Sequence, residues 1–258
     1  MSEGPESDPA EVADELNLVD EDEETLEPDD SDEATAEADM SDTGPDPDDG
    51  GHVEVEDVDG EMDAAAAAPG AAVGGTALLL RVTRRLRREG LVVKATAGWQ
   101  TRTRSGTFAP RGVMFHHTAS RPQDGPAASL GTVVNGRRDL AGPLCELLVA
   151  RDRTVYLIAG GRANHAGKGG PWRNVPRNSG NAYILGVEVE NDGTHEPWAQ
   201  ELLRACEVVF ASVLLELRRG PAWLVAHREW APHRKKDPSR IDMNRFRGRV
   251  ARAMRDLG

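Results

Sequence analysis

Apolar side chains recur at helical spacing in three segments of the chain. The first covers about residues 76–89 and is followed by Gly90, a residue type that commonly ends a helix. The second covers residues 198–217, with charged residues between the apolar ones, and the third covers residues 242–256, with Asp242 in the N-cap position. The pattern therefore predicts three helices, each with one face directed toward a core.

Shorter apolar runs are separated by loops rich in Gly, Pro and Asn. Runs of this length and composition are typical of β-strands. They occupy residues 91–95, 112–116, 144–150, 154–159 and 183–190. We expect these runs to form the strands of a single sheet.

Charge is divided unevenly along the chain. Residues 1–80 hold 28 of the 44 acidic residues and none of the 31 basic ones, so the formal charges are −28 for this part and about +15 for residues 81–258. Residues 1–63 contain few apolar residues and no periodicity, which predicts a disordered acidic tail. An Ala/Gly/Pro-rich linker at 64–75 is then expected to lead into one folded domain at 76–258.

Composition also excludes several classes of protein. Cys145 and Cys206 are too few and too far apart for a disulfide scaffold, so both are expected to be reduced thiols. No apolar run is long enough to span a membrane, and the acidic N-terminus does not resemble a secretory signal. The arginines of the first helix have no aromatic residues between them, so nucleic acid is not an expected partner.

Two histidines stand where apolar runs give way to polar loops. His116, with His117 beside it, ends one run, and His227 follows another. Asp237 lies ten residues after His227. Two histidines and a carboxylate would leave one open position on a tetrahedral zinc ion, which is the arrangement of a catalytic site. The alternative for each histidine is a hydrogen-bonded side chain that binds no metal.

Two glutamates and a lysine add candidate chemistry. Glu188 and Glu190 alternate with apolar residues, so both project from the same face of a strand. We expect one of them to face the site, where a carboxylate can act as general base and then as general acid. The alternative is that both lie on a solvent-facing edge strand. Lys235 could stabilise an oxyanion, or it could be an ordinary surface lysine.

Taken together, four segments resemble the zinc-dependent N-acetylmuramoyl-L-alanine amidases, the family that also includes peptidoglycan recognition proteins. They are His-His-Thr-Ala at 116–119, Asn-His-Ala-Gly at 164–167, Gly-Val-Glu-Val-Glu at 186–190, and 227–238. The resemblance spans about residues 76–258. Within the family, the chain is most similar to amidase endolysins of phages that infect actinobacteria.

The resemblance implies a fold and a metal centre. The fold would be α/β of the mixed α+β type, with a central mixed β-sheet flanked by helices on both faces. The cofactor would be Zn²⁺, and its ligands would be His116, His227 and Asp237.

The resemblance also assigns the remaining roles. Glu188 matches the catalytic glutamate, and Lys235 matches the lysine that stabilises the transition state. His117 and His165 would contact the substrate.

Two of these roles could be taken by other residues. Some members of the family use a tyrosine near the metal to activate water, and residues 143–147 contain none. This favours Glu188 as the base and leaves Glu146 as the alternative. Lys236 is adjacent to Lys235, so a shift of one residue in the match would exchange their roles.

The implied activity is hydrolysis of the amide between N-acetylmuramic acid and L-alanine in peptidoglycan. The alternative is a non-catalytic peptidoglycan-binding module, which the presence of three competent ligand residues disfavours. The expected partner is peptidoglycan, bound by a monomer without membrane insertion. An endolysin without a signal peptide would stay in the host cytoplasm until lysis and then reach the cell wall, and the acidic tail could compete for its basic groove.

Overall fold

The computed structural model describes residues 53–57 and 74–258. Its strands are β1 (Val55–Asp57), β2 (Val93–Thr96), β3 (Gly112–His117), β4 (Gly136–Arg137), β5 (Leu140–Ala141), β6 (Leu147–Val149), β7 (Val155–Leu157), β8 (Ile184–Val189) and β9 (Leu224–Ala226). Its helices are α1 (Gly75–Arg88), α2 (Leu130–Asn135), α3 (Gly180–Tyr183), α4 (Gln200–Glu216), α5 (His227–Trp230) and α6 (Met243–Leu257). Short 3₁₀ turns lie at Pro122–Asp124 and Pro221–Trp223.

Among the described residues, seven strands form one mixed sheet in the order β1-β2-β7-β6-β8-β3-β9. β6, β8, β3 and β9 are parallel, β7 is antiparallel to β6 and parallel to β2, and β1 is antiparallel to β2. β4 and β5 form a separate hairpin. The mixed sheet with flanking helices confirms the predicted fold class.

The three long helices α1, α4 and α6 are those that the apolar spacing predicts, and they share one hydrophobic core against the sheet. Phe115 of β3 lies at the centre of this core, with its ring centroid 5.8, 4.8 and 5.1 Å from those of Trp198, Phe210 and Phe246. Asp242 caps α6, as predicted, by accepting hydrogen bonds from the backbone of the first turn. The other face of the sheet is covered by the short helices α2, α3 and α5 and by loops.

Strand β1 lies within the segment that is predicted to be a disordered acidic tail. Val55–Asp57 pairs with Lys94–Thr96 of β2, so the prediction does not hold for these three residues. Val53 packs against a second cluster of buried residues that includes Leu148, Tyr156 and Ile158, which explains how a short acidic strand is retained at the sheet edge. The rest of the predicted tail and most of the predicted linker lie outside the described residues.

Other predictions from composition can be compared directly with the structure. Cys145 and Cys206 are buried free thiols, as predicted. No helix in the described part of the chain has the length and apolar character needed to cross a membrane.

Alternation along the strands directs the polar residues toward the face that carries the short helices. In β3, Val113 and Phe115 join the core under the long helices, so His116 points to the opposite side. In β8, Leu185 and Val187 do the same, and Glu188 therefore lies on the side of His116. The functional groups thus share one face, with the long-helix core behind them.

Candidate active site

The histidines and carboxylates of the site come from the carboxyl ends of adjacent parallel strands. His116 and Glu188 are paired across β3 and β8, and His227 follows the last residue of β9, the other neighbour of β3. Asp237 is brought to the same place by a loop whose backbone carbonyl accepts a hydrogen bond from Arg228 N at 2.8 Å. Strand order therefore gathers residues that are far apart in the sequence.

Three of these residues form a candidate metal centre. One ligand atom from each of His116, His227 and Asp237 lies within 4.8 Å of the other two. Asp237 Oδ2 is 3.1 Å from Nδ1 of His116 and 3.1 Å from Nδ1 of His227. The ligand triad that the family resemblance implies is thus assembled by the fold.

His165 fixes the tautomer of His116. His165 Nε2 lies 3.0 Å from the carbonyl oxygen of Ile184, which can only accept, so this nitrogen carries the proton. His165 Nδ1 is then an acceptor, and it lies 3.1 Å from His116 Nε2, which must donate. His116 Nδ1 is therefore unprotonated and presents its lone pair to the centre.

The same reasoning applies to His227. Its Nε2 lies 2.9 Å from the carbonyl oxygen of Ala166 and must donate, so in the neutral imidazole Nδ1 is the atom with the lone pair. In these neutral tautomers, two nitrogen lone pairs and a carboxylate oxygen face a common point. Such a set is repulsive by itself and is satisfied by a cation, so the residues present fit a bound metal.

Burial and neighbouring charge keep these ligands in the protonation states that a metal requires. Burial and His227 together lower the pKa of His116 to about 4. Burial alone would raise the pKa of Asp237, but the charge of His227 and hydrogen bonds donated by His116 and His227 when their Nδ1 atoms carry a proton outweigh it and hold that pKa well below its usual value. The histidine is therefore neutral and the aspartate ionised at neutral pH, as metal binding demands.

Glu188 is the carboxylate nearest the candidate metal centre. Its Oε1 lies 3.9 Å from His116 Nδ1, and its buried Oε2 has no hydrogen-bond partner among the described residues. Burial, followed by the charge of Asp237, raises its pKa well above the usual value, although Lys235 and Arg137 oppose the change. A carboxyl group with a raised pKa holds a proton more firmly once it has accepted one, which suits a general base that later acts as general acid.

The alternatives to Glu188 have other partners. Glu190 accepts hydrogen bonds from Ala127 N, Ser129 N and Oγ, and Arg151 N, so it holds two loops together. Glu146 is fully buried and accepts a hydrogen bond from Gly186 N. Its Oε2 lies 3.9 Å from Nε2 of His165, the ring nitrogen that does not contact His116. His165 thus stands between Glu146 and His116.

The lysines are distinguished by burial. Lys235 is 6% exposed, whereas its neighbour Lys236 is exposed. Burial lowers the pKa of Lys235 to about 8, with the charges of Asp237 and Glu188 acting in the opposite direction. Lys235 is thus the lysine in electrostatic contact with the site.

A cavity adjoins the candidate metal centre. Glu188, His165 and His117 contribute to its wall, and His117 is held by a hydrogen bond from Ser239 N to its Nδ1. The predicted substrate contact of His117 is compatible with this position. His165 borders the cavity, but both of its ring nitrogens bind the protein interior, so its contacts are those of a support for His116.

Arg137 is a charged cavity residue that the sequence did not indicate. It lies on β4 of the small hairpin, in a charged Gly-Arg-Arg-Asp stretch with no helical or strand periodicity. A short charged stretch of this kind does not show what its side chains face.

Comparison with known proteins identifies a family. Residues 106–240, just over half of the chain, match the family described as N-acetylmuramoyl-L-alanine amidase. No curated protein matches the chain in sequence.

Several solved structures resemble the chain at low identity. A mutant endolysin from Bacillus subtilis is 19% identical with a TM-score of 0.47, covering 62% of this chain and 97% of that one. The endolysin amidase LysCS from Clostridium intestinale URNW is 16% identical with a TM-score of 0.44, covering 62% and 94%. The E. coli amidase AmiD, solved with anhydro-N-acetylmuramic acid-L-Ala-D-gamma-Glu-L-Lys, is 22% identical with a TM-score of 0.40, covering 54% and 56%.

Proposed function

The chain belongs to the N-acetylmuramoyl-L-alanine amidase family, and on that premise we propose that it is a zinc-dependent peptidoglycan hydrolase. The bond it cleaves is the amide between the lactyl group of N-acetylmuramic acid and the L-alanine of the stem peptide. The other possibility is a binding module of the same fold without catalytic activity. The two differ in whether a metal binds and in whether Glu188 transfers protons.

The observation that carries this proposal is the convergence of three unprotonated ligand atoms beside a buried carboxylate. His116, His227 and Asp237 present two nitrogen lone pairs and one oxygen to a common point. Glu188 Oε1 lies 3.9 Å from His116 Nδ1, and the other oxygen of this carboxylate, Oε2, is buried with no hydrogen-bond partner among the described residues. A module that only binds peptidoglycan has no need of either feature, since burying such groups is costly unless they are paired.

Two histidines and one carboxylate form a donor set that suits Zn²⁺, and three protein ligands are typical of catalytic zinc sites. When bound by His116, His227 and Asp237, Zn²⁺ would polarise the amide carbonyl and lower the pKa of water toward 7.

Glu188 and Lys235 supply the remaining chemistry. The Glu188 carboxylate takes a proton from the attacking water as the new bond to the carbonyl carbon forms. It then gives that proton to the alanine nitrogen as the carbon–nitrogen bond breaks, so the products are a carboxylate and a free amine. The ammonium group of Lys235, buried beside Asp237 and Glu188, stabilises the negative charge on the amide oxygen.

The test is the release of new amino termini of L-alanine from purified peptidoglycan. We expect release to stop with a chelator, to return with added Zn²⁺, and to occur without new reducing sugar ends. E188Q should bind Zn²⁺ normally and lose about 10²- to 10⁴-fold in turnover, the usual contribution of acid–base catalysis. Normal turnover by E188Q would reject Glu188 as the base.

Lys235 and Lys236 provide a matched pair for the oxyanion role. We expect K235M to lose about 10²- to 10³-fold in kcat, because removing one oxyanion donor typically has that effect. K236M, which changes an exposed side chain, should retain the wild-type rate. Peptidoglycan binding by the wild-type protein with no release of amino termini would instead support the binding module.

We further propose that the protein acts as an endolysin, confined to the host cytoplasm until lysis. The formal charge of about +15 over residues 81–258 would attract it to the anionic polymers of a cell wall. Expression in an actinobacterial host should cause lysis only when a membrane pore is supplied as well. Lysis without a pore would contradict the proposal that the protein is confined to the host cytoplasm until lysis.

A further inference from the structure

Arg137 is held at the cavity wall by a tight hairpin. Gly136 pairs with Ala141, and Arg137 pairs with Leu140. Gly136 has a φ of +89°, and a side chain there would clash with backbone atoms of Leu140 and Gly142, so the turn needs glycine. Asn164 Nδ2 also donates to the carbonyl of Ala141 at 3.0 Å, which ties the hairpin to the loop before His165.

Only part of the Arg137 guanidinium is engaged by the protein. Its Nη2 forms an ion pair with Asp139 Oδ2 at 2.8 Å. Its Nε is buried and has no hydrogen-bond partner among the described residues. A buried donor without a partner costs free energy, and an incoming acceptor would recover it.

The position of Arg137 relates it to the reaction centre. It lines the same cavity as Glu188, and its charge acts on the pKa values of both Glu188 and Lys235. The lining also includes the apolar residues Leu140, Leu144 and Val133. A cavity with apolar residues, several polar side chains and the cation of Arg137 in its lining is suited to a ligand that carries a small anionic group.

We propose that Arg137 binds a carboxylate of the stem peptide, so that the protein selects peptides with a free acid close to the scissile amide. This inference rests on the proposed function. The glycan side offers no such group, because the lactyl carboxyl is consumed in the amide and the sugar bears hydroxyl and acetamido groups. A γ-linked glutamate after L-alanine leaves its α-carboxylate free, and Arg pairs with carboxylates through strong charge-assisted hydrogen bonds.

The test compares two soluble muramyl peptides that differ only in this glutamate, which carries either the α-carboxylate or the α-carboxamide. The wild-type protein should prefer the acid by about 10- to 100-fold in kcat/KM, the range expected for a hydrogen bond to a charged group. R137Q should lose the preference through a raised KM for the acid substrate. R138Q, at an exposed position on the same hairpin, is the control and should keep the preference.

Other outcomes would overturn the inference. Equal hydrolysis of both peptides by the wild-type protein would exclude a carboxylate site. An equal loss on both substrates in R137Q, with a lower unfolding temperature, would assign Arg137 a structural role. Phosphodiester polymers are the other anions of a cell wall, and the soluble muramyl peptides contain none. If R137Q lost activity on whole walls but not on the soluble peptides, Arg137 would bind phosphate and not a carboxylate.

A binding measurement separates this inference from the proposed function. The peptide L-Ala-D-γ-Glu-L-Lys is titrated into wild-type protein and R137Q, with the same peptide bearing an α-carboxamide on the glutamate as the comparison. Binding of the acid that is lost in R137Q would support the Arg137 site even if no hydrolysis were found. Hydrolysis without any difference in binding would leave the amidase standing and reject the site.

Discussion

His165 does not belong to the ligand triad but holds His116, which does. Replacing His165 with glutamine should weaken metal binding, whereas replacing it with asparagine should largely preserve metal binding. In the structure, His165 Nδ1 accepts the proton of His116 Nε2, and His165 Nε2 donates to the carbonyl of Ile184. The amide oxygen of asparagine can take the place of Nδ1. The longer glutamine places its amide near Nε2, so it keeps the contact with Ile184 and loses the one with His116.

The magnitude follows from the proton of His116. Without its acceptor, the buried His116 Nε2–H would be unpaired, at a cost of about 1–3 kcal/mol. The ring can avoid this cost by moving the proton to Nδ1, which faces Asp237 Oδ2 at 3.1 Å. A metal must then displace that proton. Loss of such a supporting partner typically lowers metal affinity about 10- to 100-fold, or about 1.4–2.7 kcal/mol.

The assay is a competition titration of Zn²⁺ against a chromophoric chelator, with the wild-type protein, H165Q and H165N compared at the same pH. We expect H165Q to show the raised dissociation constant and H165N to stay close to wild type, with both variants folded by circular dichroism. Wild-type affinity in folded H165Q would refute the tautomer argument. Equal weakening in both variants would show that packing of the ring matters, and not its acceptor atom.

Three further predictions concern stability and the cavity wall. Phe115→Ala should lower the free energy of unfolding by about 3–5 kcal/mol, because it removes a fully buried ring between α4 and α6; urea denaturation measures this. Gly193→Ala should reduce kcat/KM on peptidoglycan, since Gly193 has a φ of +72° and a side chain there would clash with the ring of His117; an unchanged rate would mean that His117 can move without consequence. Burial raises the pKa of Glu216, but hydrogen bonds from Arg85 and Arg81 outweigh it and lower that pKa below its usual value, so this stabilisation is present above pH about 4.3 and is lost as the pH falls through the lowered pKa. Glu216→Gln should therefore destabilise the protein by about 1 kcal/mol or less at pH 7, and the difference from wild type should vanish in acid.

The sequence by itself determined the parts of this protein that depend on local pattern. Helical spacing gave α1, α4 and α6 to within two residues, and Asp242 is the N-cap of α6 as predicted. The positions of His116 and His227 at strand ends were visible because an apolar run and the polar residue that ends it are adjacent in the chain. Burial and hydrogen bonding over a few residues are sufficient to specify such features.

Only the tertiary structure decided which of several similar residues takes part in the site. Alternation placed Glu188 and Glu190 on one face, but pairing across β3 sets Glu188 opposite His116, while Glu190 binds the backbone of another loop. Burial separated Lys235 from Lys236 in the same way. The strip β6-β8-β3-β9 does not follow chain order. Its neighbours are therefore set by long-range packing, which a one-dimensional pattern does not contain.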